Sequence, residues 1–297
     1  IAGAMNDLGG QGIGLWDEPD EFYYDVLHMP DGRYLPLRVR SLVGLMPLLA
    51  VETIEPELLE AMPGFKRRLE WYLESRPDLA SLISRWHQHG AGDRRLISLT
   101  RGHRMKCLLR RMLDPNEFLS DFGVRSLSKF HGSHPYVLRS EDGSERVVHY
   151  EPGESQTNIF GGNSNWRGPV WLPINYLLIE SLQKFHHYYG DDFKVECPTG
   201  SGQFLTLNEI ANELSNRLIR LWMRDGDAAR PFERASADAL SGEHDRELYW
   251  FHEYFNGDTG AGLGASHQTG WTGLVAKLIQ QQGERGTIAK RDPFTDL

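Results

Sequence analysis

The sequence predicts a mainly α protein on the plan of an α/α toroid, carrying a small β-hairpin insertion. Three observations predict it. Apolar residues recur at helical spacing in several long segments, these segments follow one another in pairs joined by long loops, and strand-like patterning is confined to one short stretch. With 297 residues, 40% of them hydrophobic, and a mean hydropathy of -0.47, the chain can bury a substantial core and reads as one globular domain over 1–297. It shows no clear internal repeat and no low-complexity segment.

Taken in order, residues 23–40 read as extended or turning chain broken at Pro30-Asp31-Gly32, and 39–52 as a strongly apolar helix. Helical spacing continues through 56–75 and 79–86. Residues 104–113 form a short helix that must end before Pro115, because a proline pushes the residue ahead of it out of the helical region. The hairpin comes next, with 136–138 and 146–150 flanking the turn Glu141-Asp142-Gly143-Ser144. Residues 171–189 are the strongest helix, with Leu172, Ile174, Leu177, Leu178, Ile179 and Leu182 expected on its buried side. Its partner, 207–223, runs through Ile210, Leu214, Leu218, Ile219 and Trp222, and Thr206 with Glu209 three residues later makes a capping box at its start. A last helix is expected over about 269–282.

Composition removes several function classes. A net charge of -9 and an isoelectric point near 5.7 argue against a nucleic-acid surface, which needs clustered cations facing phosphates. The runs Lys66-Arg67-Arg68 and Arg110-Arg111 fit solvated helix faces. Cys107 and Cys197 have no ligand-like spacing, so no zinc site, other metal or disulfide framework is indicated, and a reducing, cytoplasmic setting fits best. The apolar run 42–51 is half of the about 20 residues a membrane span needs, so no membrane partner is expected. Residues 1–5 lack the basic start of a signal peptide, and the absent initiator Met suggests a fragment or trimmed chain. Gly200-Ser201-Gly202 lacks the Lys and Ser/Thr of a phosphate loop, and no cofactor is called for.

The chemistry concentrates in two segments. Residues 161–171, GGNSNWRGPVW, set Trp166, Arg167 and Trp171 on a glycine-rich turn that opens the strongest helix, with Pro169 suited to a first helical turn. Residues 251–273, FHEYFNGDTGAGLGASHQTGWTG, place a lone carboxylate, Glu253, before a glycine loop that ends in Trp271. Flat indole faces stack on pyranose rings, so the two segments read as opposite walls of one carbohydrate site. Glycosidic cleavage needs one carboxylic acid to protonate the leaving oxygen and one carboxylate to activate water or attack the sugar. Glu253, flanked by aromatics, suits the second role, although a surface or helix-capping glutamate is the commoner local explanation. His252 and His267 flank the loop as sugar-hydroxyl partners or, more simply, as structural loop histidines. Glu151 and Glu154 lie just before the first turn, placed either to reach the pocket or, more simply, to stabilise the turn. His186-His187, late in the long helix, fits a favourable interaction with the helix C-terminus.

GGNSNWRGPVW with its NYLLIESL helix, followed by HEYFNGDTGAGLGASHQTGWTG, resembles the C-terminal half of bacterial and fungal proteins of glycoside hydrolase family 63, the group of processing α-glucosidases and mannosylglycerate hydrolases. The likeness extends to residues 15–27 and to Tyr150-Glu151-Pro152-Gly153-Glu154. It implies the C-terminal portion of an (α/α)6 barrel and inverting hydrolysis of α-glucosidic or related bonds in an oligosaccharide or glycoside. Glu253 matches the general base, Trp166, Arg167, Trp171 and Trp271 match sugar-binding walls, and His267 lies in the same base-side loop. Asn165 stands where many members carry an aromatic. The family's general acid, an Asp, is expected upstream of Ile1, because the motif holding Asp17, Asp20 and Asp25 resembles a later loop. Roughly half of the toroid's helices are readable, so the missing N-terminal half of the barrel is the expected partner. The alternatives are a non-catalytic carbohydrate-binding or scaffold module that lacks the acid, and a helical interaction scaffold whose aromatics are all core.

Overall fold

A computed structural model describes residues 2–7, 12–83, 88–100, 102–140, 142–226, 228–235 and 248–284. They are mainly α, and seven two-stranded antiparallel pairs punctuate the helices. The chain gathers into two compact units: residues 1–112 with 180–210, and residues 113–179 with 211–297.

In the first unit, Asp25–His28 pairs with Tyr34–Leu37 from Asp25 opposite Leu37 to His28 opposite Tyr34. The turn between them is the expected Pro-Asp-Gly breaker, with Gly32 at φ 86°. The helix expected over 39–52 is shorter and tighter. A 3-10 helix covers Leu42–Leu49, capped at Val43 N by the Ser41 hydroxyl, and residues Val51–Ile54 form a strand paired with Arg95–Ser98. Pro47 lacks the N–H an α-helix would need there and crowds the preceding turn, while Val51, Thr53 and Ile54 are β-branched residues that favour a strand. Residues 56–75 split into Pro56–Ala61 and Pro63–Ser75. Pro63 holds Met62 out of the helical region, at φ -124° and ψ 66°, and then serves as a first helical residue itself. Ile54, Leu59 and Leu73 bury together beside these helices. The helix expected over 79–86 spans Pro77–Ile83, and residues 84–86 lie outside the described residues. Gly102–Met112 is helical as expected and buries Met105, Cys107, Leu108, Leu109 and Met112.

In the second unit the hairpin pairs Tyr136–Arg139 with Glu145–Val148. Of its predicted turn, Glu141 lies outside the described residues, and the Asp142 carboxylate accepts from Ser144 N at 2.9 Å. The long helix runs Leu172–Tyr189, its residues to Ile179 counted in this unit and those from Glu180 in the first. Its buried face differs from the expected one: Leu177 is exposed, Ile174 is half-buried, and Asn175 lies on the buried side at 1% exposure. The Asn175 amide is matched to Val124, accepting from its N–H at 2.7 Å and donating to its carbonyl at 2.9 Å. A helical pattern counted from apolar residues alone misses such a position, because a fully bonded amide can take a core place. Pro173, rather than Pro169, occupies the first turn. Pro169 lies just ahead, where Val170 bridges to both Arg125 and Phe255.

The partner helix spans Leu207–Ile219 and tightens to a 3-10 turn over Arg220–Trp222. Its capping box forms reciprocally, with Glu209 N bonded to the Thr206 hydroxyl at 3.2 Å and Thr206 N to the Glu209 carboxylate at 2.7 Å. The last helix is divided into Thr269–Thr272 and Val275–Glu284 around Gly273, a poor helix former. No helix among the described residues is long and apolar enough to cross a membrane.

Candidate active site

Both motif segments fall in the second unit and are hydrogen-bonded to each other. Val170 and Phe255 exchange two backbone bonds, at 2.8 and 3.0 Å, while Gly257 N donates to Pro152 O and Glu151 N to Arg167 O. The contact is close because two glycines permit it. A Cβ on Gly168 would fall 2.5 Å from the Glu151 carbonyl oxygen, and one on Gly257 would fall 2.5 Å from the Gly168 carbonyl oxygen. Larger residues at either place would push the segments apart.

This backbone aligns three indoles. Trp166 and Trp171 meet edge to face with centroids 5.6 Å apart, and Trp171 meets Trp271 in the same way at 5.9 Å. All three are half-buried. Trp271 also donates its indole N–H to the Glu253 carbonyl at 3.1 Å. Glu253 is half-buried on the same loop, its Oε2 accepting from Ala265 N at 3.3 Å and its own N–H bonded to Ala265 O. The structure thus brings Trp166, Trp171, Trp271 and Glu253 into one connected set.

Arg167 lies beneath this set rather than on its face. The residue has 0% exposure, pairs with the Glu151 carboxylate at 3.0 Å and donates to the Thr157 hydroxyl at 2.7 Å. The neighbouring Asn165 is buried too. His267 is exposed and stacks on Trp250 at 5.3 Å, and on the other histidine, His252, Trp250 stacks at 6.1 Å. His252 is 5% exposed, and burial together with the neighbouring His267 pushes its pKa below the ordinary 6.5. Gly262 makes room for it, since a Cβ there would fall 2.1 Å from the His252 ring.

Two further groups have a clear place in this arrangement: Glu154, which the sequence reading weighs, and Asp258, which it misses. Asp258 ties the glycine loop to its surroundings by accepting from Arg125 and from the Tyr150 hydroxyl, each at 3.0 Å. Glu154 accepts from Tyr254, Ser164 and Gly264. The signal available in the sequence is only that Tyr254 adjoins Glu253 and that Glu154 adjoins the first motif.

The early aspartates are engaged elsewhere, in the first unit. Asp17 pairs with Arg38 at 2.8 Å. Asp20 lies between Arg40 and Arg111; burial works to raise its pKa, but hydrogen bonds from Tyr24 and Arg40 and the nearby charges hold it below the usual carboxylate range. Glu21, His103 and Cys107 also converge in that unit as possible metal ligands. Glu21 is already bound by the Arg110 guanidinium, and burial, aided by the Glu21 charge, pushes the Cys107 thiol up. A protonated thiol beside a satisfied carboxylate is a poor ligand set. A cavity of about 550 Å³ lined by Gln88, His89, Gly90, Ala91, Tyr188 and Tyr189 contains none of the candidate residues.

Residues 96–272 match the family model of the mannosylglycerate hydrolase MGH1-like glycoside hydrolase domain. The chain belongs to this family. The resemblance to glycoside hydrolase family 63 stands with it. The chain is 48% identical to the uncharacterised protein YMR196W of Saccharomyces cerevisiae over 272 residues, which are 91% of this chain and 25% of that protein. It is 25% identical over 169 residues to the mannosyl-oligosaccharide glucosidase of the same yeast, covering 57% of this chain and 14% of the relative. The chain thus spans about a quarter or less of the length of these relatives. Among solved structures, the GH63 mannosylglycerate hydrolase from Thermus thermophilus in complex with glucose is similar at 18% identity and a TM-score of 0.35, over 92% of this chain and 38% of that one. In this MGH1-like chain the family match takes in all the candidate residues, from Trp166 to Trp271.

Proposed function

We propose that this MGH1-like chain carries the base-bearing part of an inverting α-glycosidase that acts on α-glucosidic or related mannosyl linkages. The observation that carries the reading is the junction of Glu253 with the indole wall: one loop supplies the carboxylate, and Trp271 both extends the wall and bonds the Glu253 carbonyl. In this reading a sugar ring is held against the wall of Trp166, Trp171 and Trp271, and a water lies between the ring and Glu253. Glu253 takes a proton from that water as its oxygen forms a bond to the anomeric carbon. The glycosidic bond breaks on the opposite face, and a separate carboxylic acid protonates the departing oxygen. Inversion requires the two carboxyl groups to stand about 6.5 to 9.5 Å apart, leaving room for the water.

Arg167 acts here as a positioning group, because its guanidinium is buried beneath the wall and holds the segment that carries Trp166. His267 supplies an exposed hydrogen-bonding group at the loop end, and the complete catalytic domain takes the (α/α)6 form implied by the family. The test is Glu253→Gln in the full-length protein, assayed by release of monosaccharide from α-linked gluco- and manno-disaccharides. Turnover should fall by about 10²–10⁴, the usual size of a general acid–base contribution, with ligand affinity nearly unchanged. Undiminished turnover would sink the assignment. Binding without turnover in the unsubstituted protein would favour the carbohydrate-binding module instead.

A further inference from the structure

Glu154 and Glu253 reach one turn from two different loops. Glu154 Oε1 accepts from Gly264 N at 3.2 Å, and Glu253 Oε2 accepts from the next amide, Ala265 N, at 3.3 Å. The other oxygen of Glu154 accepts from the Tyr254 hydroxyl at 2.6 Å and from the Ser164 hydroxyl at 2.9 Å. Gly264 has φ 67°, and a Cβ on it would meet Tyr254 Cε1 at 2.7 Å and Glu253 Oε2 at 2.9 Å. Successive amides of this glycine turn therefore hold two carboxylates, and Tyr254, the residue next to the second, donates to the first.

The turn needs such support. It follows directly on the hairpin of Tyr254–Phe255 and Gly262–Leu263, whose strands are two residues each, and so short a hairpin has little stability of its own. The Glu253 backbone is bonded to the turn through Ala265 O, but its carboxylate meets the turn by one long hydrogen bond, so the direction of the carboxylate depends on where Gly264 and Ala265 stand. Glu154 bonds that turn through Gly264 N and is itself held in place by the Tyr254 and Ser164 hydroxyls. The Tyr254 phenol is pushed up to about 12 by burial, by its bond to Glu154 and by the charges of Glu154 and Glu253, so it remains a donor at neutral pH.

We propose that Glu154 and Tyr254 are positioning residues for Glu253, a clamp that holds the Gly264–Ala265 turn and thereby aims the base carboxylate. The inference rests on the reading of Glu253 as the general base. Neither residue touches the reacting atoms in this scheme; their effect passes through the turn.

The test compares Glu154→Gln, Tyr254→Phe, their double variant and Glu253→Gln in the full-length protein, with the α-linked disaccharides as probes. A small misplacement of a catalytic group can cost about 10²-fold, so each single variant is expected to lower kcat by about 10- to 100-fold with KM and melting temperature nearly unchanged. The double variant should be no slower than the worse single, because the two act as one unit. Tyr254→Phe removes one oxygen and keeps the ring packing, so it remains informative where Glu154→Gln fails to fold. Independently of substrate, the Gly264 and Ala265 amides should exchange hydrogen faster in Tyr254→Phe. Wild-type kcat in both single variants while Glu253→Gln is inactive, or unchanged amide exchange, overturns the clamp and leaves the base assignment standing. Turnover that survives Glu253→Gln overturns both.

Discussion

Trp271 donates its indole N–H to the backbone carbonyl of Glu253 at 3.1 Å, so the last indole of the wall is also a brace for the candidate base. The edge-to-face contact between Trp271 and Trp171 continues this link into the other motif segment. Wall and carboxylate are therefore coupled, and substitutions in one should be felt in the other.

Trp271→Phe separates the two duties, since phenylalanine keeps an aromatic face against Trp171 and loses the N–H. A hydrogen bond of this kind contributes about 0.5 to 1.5 kcal/mol net, which predicts a fall in kcat/KM of up to about tenfold. Steady-state kinetics on the disaccharide probes would check it. Unaltered kinetics in Trp271→Phe with impaired kinetics in Trp271→Ala would reduce Trp271 to a stacking surface.

Arg167 gives a prediction about stability rather than binding. Arg167→Met leaves Glu151 buried without its cation, and breaking a buried pair in this way costs about 3 to 5 kcal/mol. The second substitution in Arg167→Met/Glu151→Gln removes the stranded charge and should restore a good part of the loss. Denaturant midpoints of the three proteins test it. Loss of sugar affinity at wild-type stability would instead favour direct contact with the sugar.

The sequence revealed the parts of this molecule whose rules are local. The long helix, the capping box of Thr206 and Glu209, and the hairpin turn are written in spacing and residue type, and they stand where that spacing puts them. The helix expected over 39–52 fails at Pro47 and at the β-branched run after it, because apolarity alone does not separate a buried helix from a 3-10 turn and strand. In the site, the aromatics and Glu253 are conspicuous by type. Glu154 and Asp258 are not, since their partners, Tyr254 and Arg125, lie 100 and 133 residues away in sequence. Arg167 is legible as a charge beside two indoles, but whether such a charge faces solvent or the core is decided by Glu151 and Thr157 folding over it.

The capping box predicts a pH-dependent stability. Hydrogen bonds from the Thr206 backbone and hydroxyl hold the Glu209 carboxyl below its ordinary pKa. A depressed carboxyl stabilises the fold above its unfolded pKa, and that contribution is lost as pH falls through the folded value. Thr206→Ala should therefore cost about 1 kcal/mol at neutral pH and progressively less in acid below pH 4.5, the ordinary value for the group. Urea melts at a series of pH values would show it, and a penalty that is constant into strong acid would rule out a charged cap.

His252 makes the complementary case for a base. Burial, and then the neighbouring His267, depress its pKa below 6.5, so the folded chain prefers the neutral ring. In the unfolded chain the ring takes up a proton near its ordinary value, whereas in the folded chain it resists until a lower pH. The stability it contributes is accordingly complete above 6.5 and declines as pH falls from there through the folded value. The neighbouring His267, exposed and stacked on Trp250, adds to burial in disfavouring the charged form of His252. The wild-type melting temperature should thus fall between about pH 7 and pH 5, and His252→Gln should flatten that slope while lowering the neutral-pH value, since the His252 ring packs against Gly262. His267→Gln should leave most of the slope in place. An equal slope in wild type and His252→Gln would show that other groups set the acid sensitivity of this unit.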